Sequence, residues 1–336
     1  MRIAVDGMGG DHAPREIVKG CVEALNDSEV EIILVGNQDQ LEEELKKYTF
    51  DLARLHIQHT SEIITNDDKP VQAIRSKKDS SLVVGLNMVK EGTADAFVSA
   101  GNTGAILAGS IFRVGRIKGI DRPAIAAVYP THKGISLLVD AGANAECKAR
   151  NLLEFGVMGS IYAERVFGKP KPSIGLVNIG SEEGKGTDLI RDAHSLYQKL
   201  NLNYVGNAEA RDLPKGIVDV IVCDGFIGNV ILKLTEGVAM TMFSMLKEKF
   251  TENIFNKLGA AILKPSLREF KKTLDYTEYG GAPLLGVNGA VIKAHGSSNA
   301  KAIKNAIKQA KIFAEQEVVG MISNEIEKIG DGENVK

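Results

Sequence analysis

The chain has 336 residues, is 44% hydrophobic, and carries 41 basic and 43 acidic residues for a net charge of −2. That length allows one large domain or two small ones, and the balanced charge excludes a global attraction to nucleic acid. The three cysteines form no zinc-type C-x-x-C pair and fit a reducing compartment.

In chain order, Val/Ile-rich runs predict strands at 3–5, 32–35, 55–58, 96–98, 124–129, 135–139, 174–178, 202–205, 220–223 and 290–293. Helical patterns fall between most of them, at 14–25, 38–47, 80–91, 148–167 and 187–200. Such alternation reads as α/β with a largely parallel sheet. Two prolines in "FGKPKPS" (167–173) make the best candidate for a subdomain boundary. Asp6 interrupts the first apolar run, so no signal peptide is expected. No apolar run approaches the ~18 residues that span a bilayer. The expectation is a cytoplasmic protein, which leaves peripheral contact with a membrane open.

Strands repeatedly end in a small or acidic residue followed by glycine: "VDGMGG", "VSAGNTGA", "VDAGAN", "VNIGSEEGKG", "VCDGFIGN" and "KAHGSS". In a parallel sheet these six loops converge on one carboxyl edge and share a ligand site there. The first loop fails as a dinucleotide fingerprint, because G-x-G-x-x-G begun at Gly7 meets His12. Glycine turns leading into a helix favour an anion instead. Asp6, Gly9, Gly10 and His12 are therefore candidate anion-binding residues.

The other loops supply the chemistry. Ser99, Gly101, Asn102 and Thr103 form either an oxyanion cradle or a helix cap. Arg116, Lys118 and Arg122 read as a phosphate clamp or as surface charge. Lys185 lies between two glycines, but no G-x-x-x-x-G-K run is present and ATP binding has little support. Asp224 orients a reacting group or caps a turn; Asn229 is a candidate oxyanion donor; Lys233 follows one helical turn later. Lys293, His295 and Ser297 precede a helix, and His295 is the best placed of six histidines for acid–base work. No G-x-S-x-G elbow occurs. Asp6, Asp11 and Asp224 lack metal-ligand spacing, so neither metal nor cofactor is expected.

Residues 237–276 read as an amphipathic arm. Phe243, Leu246, Phe250, Ile254, Leu258 and Ile262 recur every three or four positions, and Pro265 is expected to end that helix. Lys257 and Lys264 flank the apolar tip "LGAAIL", which contains Leu258, Ile262 and Leu263. An apolar tip rimmed by cations suits an anionic bilayer surface, and a helical arm equally suits a second subunit.

Nine blocks together carry a resemblance: "VDGMGGDHAP", "SAGNTGA", "GRIKGIDRPA", "DAGAN", "NIGSEEGKG", "GNAEARD", "DGFIGN", "YGGAPLLG" and "IKAHGSS". From residue 1 to about 310 the chain resembles the PlsX family of bacterial phosphate acyltransferases. The resemblance implies transfer of an acyl group from acyl carrier protein to inorganic phosphate, giving acyl phosphate for phospholipid synthesis. It implies an isocitrate/isopropylmalate dehydrogenase-like fold: three α/β/α layers around a mixed, largely parallel sheet. Two intertwined subdomains forming a single domain, a homodimer and peripheral membrane association follow from the same resemblance. Lys185, Asp224, Asn229 and His295 are the candidate catalytic set, with phosphate held at 7–10 and 101–104. The alternatives are an NAD-dependent β-hydroxyacid dehydrogenase on the same fold and a non-catalytic scaffold for the carrier.

Overall fold

The computed structural model describes residues 1–274 and 278–333. Its strands are β1 (Arg2–Asp6), β2 (Glu31–Gly36), β3 (Leu55–His59), β4 (Ala96–Ser99), β5 (Ala124–Thr131), β6 (Gly134–Val139), β7 (Ile174–Asn178), β8 (Tyr204–Glu209), β9 (Val220–Val222), β10 (Ala282–Leu285) and β11 (Ala290–Lys293). The α-helices are α1 (Arg15–Asp27), α2 (Gln38–Leu45), α3 (Pro70–Ser76), α4 (Ser81–Lys90), α5 (Thr103–Gly109), α6 (Ala149–Phe167), α7 (Asp188–Tyr197), α8 (Gly225–Thr251), α9 (Ile254–Leu274), α10 (Ala300–Glu315) and α11 (Val318–Glu333).

Among the described residues, eleven strands join one sheet, in the order β3-β2-β1-β4-β11-β10-β5-β6-β9-β7-β8. Alternate residues feed different cores, as a period of two requires. Ile3, Val5, Ile32 and Leu34 pack into one apolar layer, while Ala4, Ile33 and Val35 pack into the other. Burial on both faces explains the near-continuous apolar runs of the central strands. The mixed, mostly parallel sheet flanked by helices is the expected fold class.

Strand direction corrects one expectation. β3, β2, β1, β4 and β11 are mutually parallel. β10 is antiparallel to both β11 and β5, and β5 is antiparallel to β6. β6, β9, β7 and β8 are parallel to one another. The carboxyl ends of β1, β4 and β11 therefore share one edge, and those of β6, β7 and β9 lie at the opposite edge. The six glycine loops follow two sets of strands that run in opposite directions, three in each set, yet Thr103, Gly142, Asn229 and His295 from four of those loops line one cavity.

The strand expected at 202–205 begins at Tyr204, because Leu202 belongs to a turn whose carbonyl accepts from the Tyr204 N–H at 2.8 Å. β10 was not anticipated. It has four residues and contains Pro283, which cannot donate to the ladder.

The arm also differs. α8 is one 27-residue helix that begins at Gly225, twelve residues before the expected start. The chain breaks at Glu252 and Asn253 rather than at Pro265, which lies inside α9. Asn253 causes the break: its side chain accepts from the Asn256 N–H at 2.9 Å and starts the new helix. "LGAAIL" accordingly lies within α9 and not at a hairpin tip. α8 is long and apolar enough to cross a membrane by length and composition, although only 6% of its most apolar window is buried. Lys233 and Glu236 interrupt its first half, so no unbroken apolar run marks it in the sequence.

Candidate active site

Three loops meet at the first edge. The Asp11 N–H donates to the Gly296 carbonyl at 2.8 Å, and Gly9 and Gly10 pack on the chain at 100–101. A Cβ at Gly9 would lie 2.4 Å from an Asp6 carboxylate oxygen and 2.9 Å from the Gly101 nitrogen. Gly10 has φ +105°, a conformation that favours glycine. Asp6 is the organiser of this junction. Its carboxylate accepts from the Ser99 hydroxyl at 2.7 Å and from the Met8 N–H at 3.2 Å, while Ser99 Oγ accepts from the Gly101 N–H at 3.0 Å. Burial raises the Asp6 pKa, and these hydrogen bonds oppose the rise.

A second junction forms where β6 and β9 end. The buried Asp140 carboxylate accepts from the N–H groups of Ile125, Gly142, Ala143 and Asn144 and from the Asn144 side chain, at 2.7–3.1 Å. Gly225 and Gly228, three apart on one face of α8, let the helix lie against this loop. A Cβ on Gly228 would fall 1.8 Å from the Asp140 carbonyl oxygen. From there α8 runs over the sheet toward the first edge: Asn229 faces Gly142, and Thr235 meets the Tyr129 hydroxyl at 3.3 Å.

Between the junctions lies a cavity of about 360 Å³. Its polar lining comes from α8 (Asn229, Lys233, Glu236), from β11 and its end (Lys293, His295) and from Thr103. Lys233 pairs with Glu236 at 2.7 Å. Desolvation pushes the Lys293 ammonium below the usual lysine range, and the nearby Lys233 charge adds to that shift. His295 moves the same way, through desolvation and then the charges of Lys293 and Lys233. Its ring is held by Ser297, whose N–H donates to Nδ1 at 3.2 Å and whose hydroxyl lies 2.8 Å from the same atom. An accepting Nδ1 assigns the proton of the neutral ring to Nε2.

The expected residues divide accordingly. Thr103, Asn229, Lys293 and His295 line the cavity; Ser297 orients His295. Asp6, Gly9, Gly10, Ser99 and Gly101 build the adjoining junction. Asn102 caps α5, accepting from Ala105 N–H at 3.0 Å, and Asp224 caps α8, accepting from Ile227 N–H at 2.8 Å. His12 is exposed at the start of α1. Arg122 is exposed beyond the cavity lining, beside Asp121. Lys185 is also outside the lining, in the loop after β7, where its carbonyl accepts from the Asn178 side chain at 3.0 Å. Glu236 was missed, and Asp140 and Gly142 were marked only as part of the "VDAGAN" loop. Asn229, Lys233 and Glu236 stand at i, i+4 and i+7, a helical stripe that would have revealed the last of these. No thiol is poised for attack: burial raises the pKa of Cys21 and Cys223, and that of Cys147 is pushed up to about 12.

A mixed, mostly parallel sheet flanked by helices is a fold that solved phosphotransacylases share. A phosphotransacetylase from Streptococcus pyogenes aligns with TM-score 0.65 at 17% identity, covering 93% of this chain and 94% of that one. A branched-chain phosphotransacylase from Enterococcus faecalis V583 aligns with TM-score 0.58 at 14% identity, covering 94% and 99%. At these identities the likeness concerns the fold. The family is fixed by sequence: residues 1–321 match the family described as "Fatty acid synthesis protein", and the chain belongs to it, the PlsX family of phosphate acyltransferases. A phosphate acyltransferase from Alkaliphilus oremlandii is 61% identical over 333 residues, covering 99% of both chains. Another from Clostridioides difficile is 54% identical over 332 residues, covering 98% of each.

Proposed function

We propose that the protein transfers a fatty acyl group from the thioester of acyl carrier protein to inorganic phosphate. The observation that carries this reading is the cavity charge: the Lys233 and Lys293 ammonium groups face Glu236 as the one carboxylate among the lining residues, with neutral His295 beside them. That imbalance suits a phosphate dianion, and family membership supplies the acyl transfer.

The two ammonium groups bind hydrogen phosphate and set an anionic oxygen toward the thioester carbonyl. Phosphate is nucleophilic as it stands, so positioning and oxyanion stabilisation are the large terms. The Asn229 amide donates to the carbonyl oxygen as charge develops there. The carbon–sulfur bond breaks as the carbon–oxygen bond to phosphate forms. The phosphate proton passes to the departing thiolate, while the Nε2–H of neutral His295, its ring held at Nδ1 by Ser297, donates to a phosphate oxygen and orients it. Acyl thioester and hydrogen phosphate thus yield acyl phosphate and free thiol, with no covalent enzyme intermediate.

The arm supports two further parts of the reading. Leu258, Ile262 and Leu263 of α9 are 60%, 80% and 49% exposed, between Lys257 and Lys264. Such a surface suits peripheral attachment of a cytoplasmic enzyme to an anionic membrane. Phe226, Val230, Leu234 and Val238 form an exposed stripe on α8 that suits a second copy of the chain.

The test is phosphate-dependent release of thiol from palmitoyl carrier protein, with hydroxylamine trapping the product. Saturation in phosphate with hydroxamate formation is expected. Thiol release absent from a folded, carrier-bound protein would overturn the reaction and leave the scaffold.

A further inference from the structure

A smaller cavity of about 40 Å³ continues from the cationic one, and the two share Val128, Leu232, Glu236 and Tyr279 as walls. Its other walls are Tyr129, Pro130, Thr235 and Ala239. The Tyr129 and Thr235 hydroxyls lie 3.3 Å apart and satisfy one another, so the lining presents mostly carbon. Leu232, Thr235 and Ala239 lie along one face of α8, and Phe243 extends that line one turn further, to its contact with Phe270 of α9. One end of this path is cationic and the other apolar. It leads away from Lys233 along the helix and toward the arm.

We infer that the seam between β5 and α8 is the acyl-chain site, with Ala239 as its selector of chain length. This rests on the proposed reaction for its substrate, but the seam itself is chemistry-neutral: any long-chain carboxylate or thioester fits a cationic head and an apolar tail. A chain whose carbonyl sits at Asn229 and Lys293 extends past Leu232 to Ala239, where a small side chain leaves the passage open. Beyond it the chain follows α8, which advances about 1.5 Å per residue. Each further methylene taken from water strengthens binding by about fourfold.

Direct binding of octanoate and palmitate to the full chain tests the seam without requiring turnover. The wild type is expected to bind palmitate at least tenfold more tightly than octanoate. Ala239→Phe should weaken palmitate by tenfold or more and leave octanoate within twofold. Ala239→Leu, which adds less bulk, should fall between and serves if the larger side chain prevents folding. Palmitate bound equally by wild type and both variants, or no tighter than octanoate by the wild type, would overturn the site. Acyl transfer from octanoyl and palmitoyl carrier protein then separates the two readings. Selective binding without transfer retains the seam and removes the reaction. Transfer whose chain-length profile ignores residue 239 removes the seam and retains the reaction.

Discussion

Lys233 and Lys293 face the same cavity from a helix and from a strand, and the charge of the first lowers the proton affinity of the second. Two like charges held together are costly without an anion. Phosphate affinity therefore depends on the Lys293 proton, and it should decline on the alkaline side at a pH below that of an ordinary lysine. Lys233→Gln removes one cause of the shift and should move that limb to higher pH. Lys293→Met should abolish the limb and lower kcat/KM for phosphate by about 10²- to 10³-fold. Initial rates over phosphate concentration and pH check both.

His295 gives the opposite limb. Its pKa is lowered, so the ring is neutral at pH 7 and gains its proton only below the ordinary imidazole value. Turnover that uses the neutral ring is present above that pKa and is lost as pH falls through it. His295→Ala should cost about 10²-fold in kcat and flatten the acid limb. Ser297→Ala should shift the limb with a smaller loss, since Ser297 acts through the ring.

Gly228 tests the docking of α8. A methyl group there meets the Asp140 carbonyl oxygen at 1.8 Å, which is backbone and cannot swing aside. Gly228→Ala should destabilise the fold by about 3 kcal/mol. Gly237→Ala, on the same helix with open space around it, should be neutral or slightly stabilising. Thermal denaturation of the pair reads the difference.

The arm is tested with lipid. Ile262→Asp should reduce sedimentation with vesicles containing anionic lipid by about tenfold or more, and leave thiol release from soluble substrate unchanged. High salt should weaken binding of the wild type, because Lys257 and Lys264 act through screened charge.

Most strands were legible because buried β-segments are continuous apolar runs. Their directions were not. Nothing local in "VDAGAN" distinguishes a strand running with β1 from one running against it, although Gly142 of that loop still reaches the cavity that His295 lines. His295 and Lys293 were recognisable from residue type and position at a strand end. Lys233 is not assignable from the sequence, because its role depends on α8 crossing the sheet. That crossing is written in Gly225 and Gly228, whose meaning appears only once the Asp140 loop is in place. Asn102 and Asp224 carried capping chemistry, the local alternative their residue types always offer.

The insertion of β11 beside β4, and of α10 against α1, bears on how the protein is made. The first edge needs residues 7–12, 99–103 and 294–298 in contact. A ribosome must therefore deliver nearly the whole chain before the sheet's first half can close. Until then β4 presents an unpaired apolar edge to the cell, with the hazard of aggregation that accompanies such intermediates. The enzyme's binding loops are the last part to assemble, so a truncated product would lose ligand binding along with its missing strand.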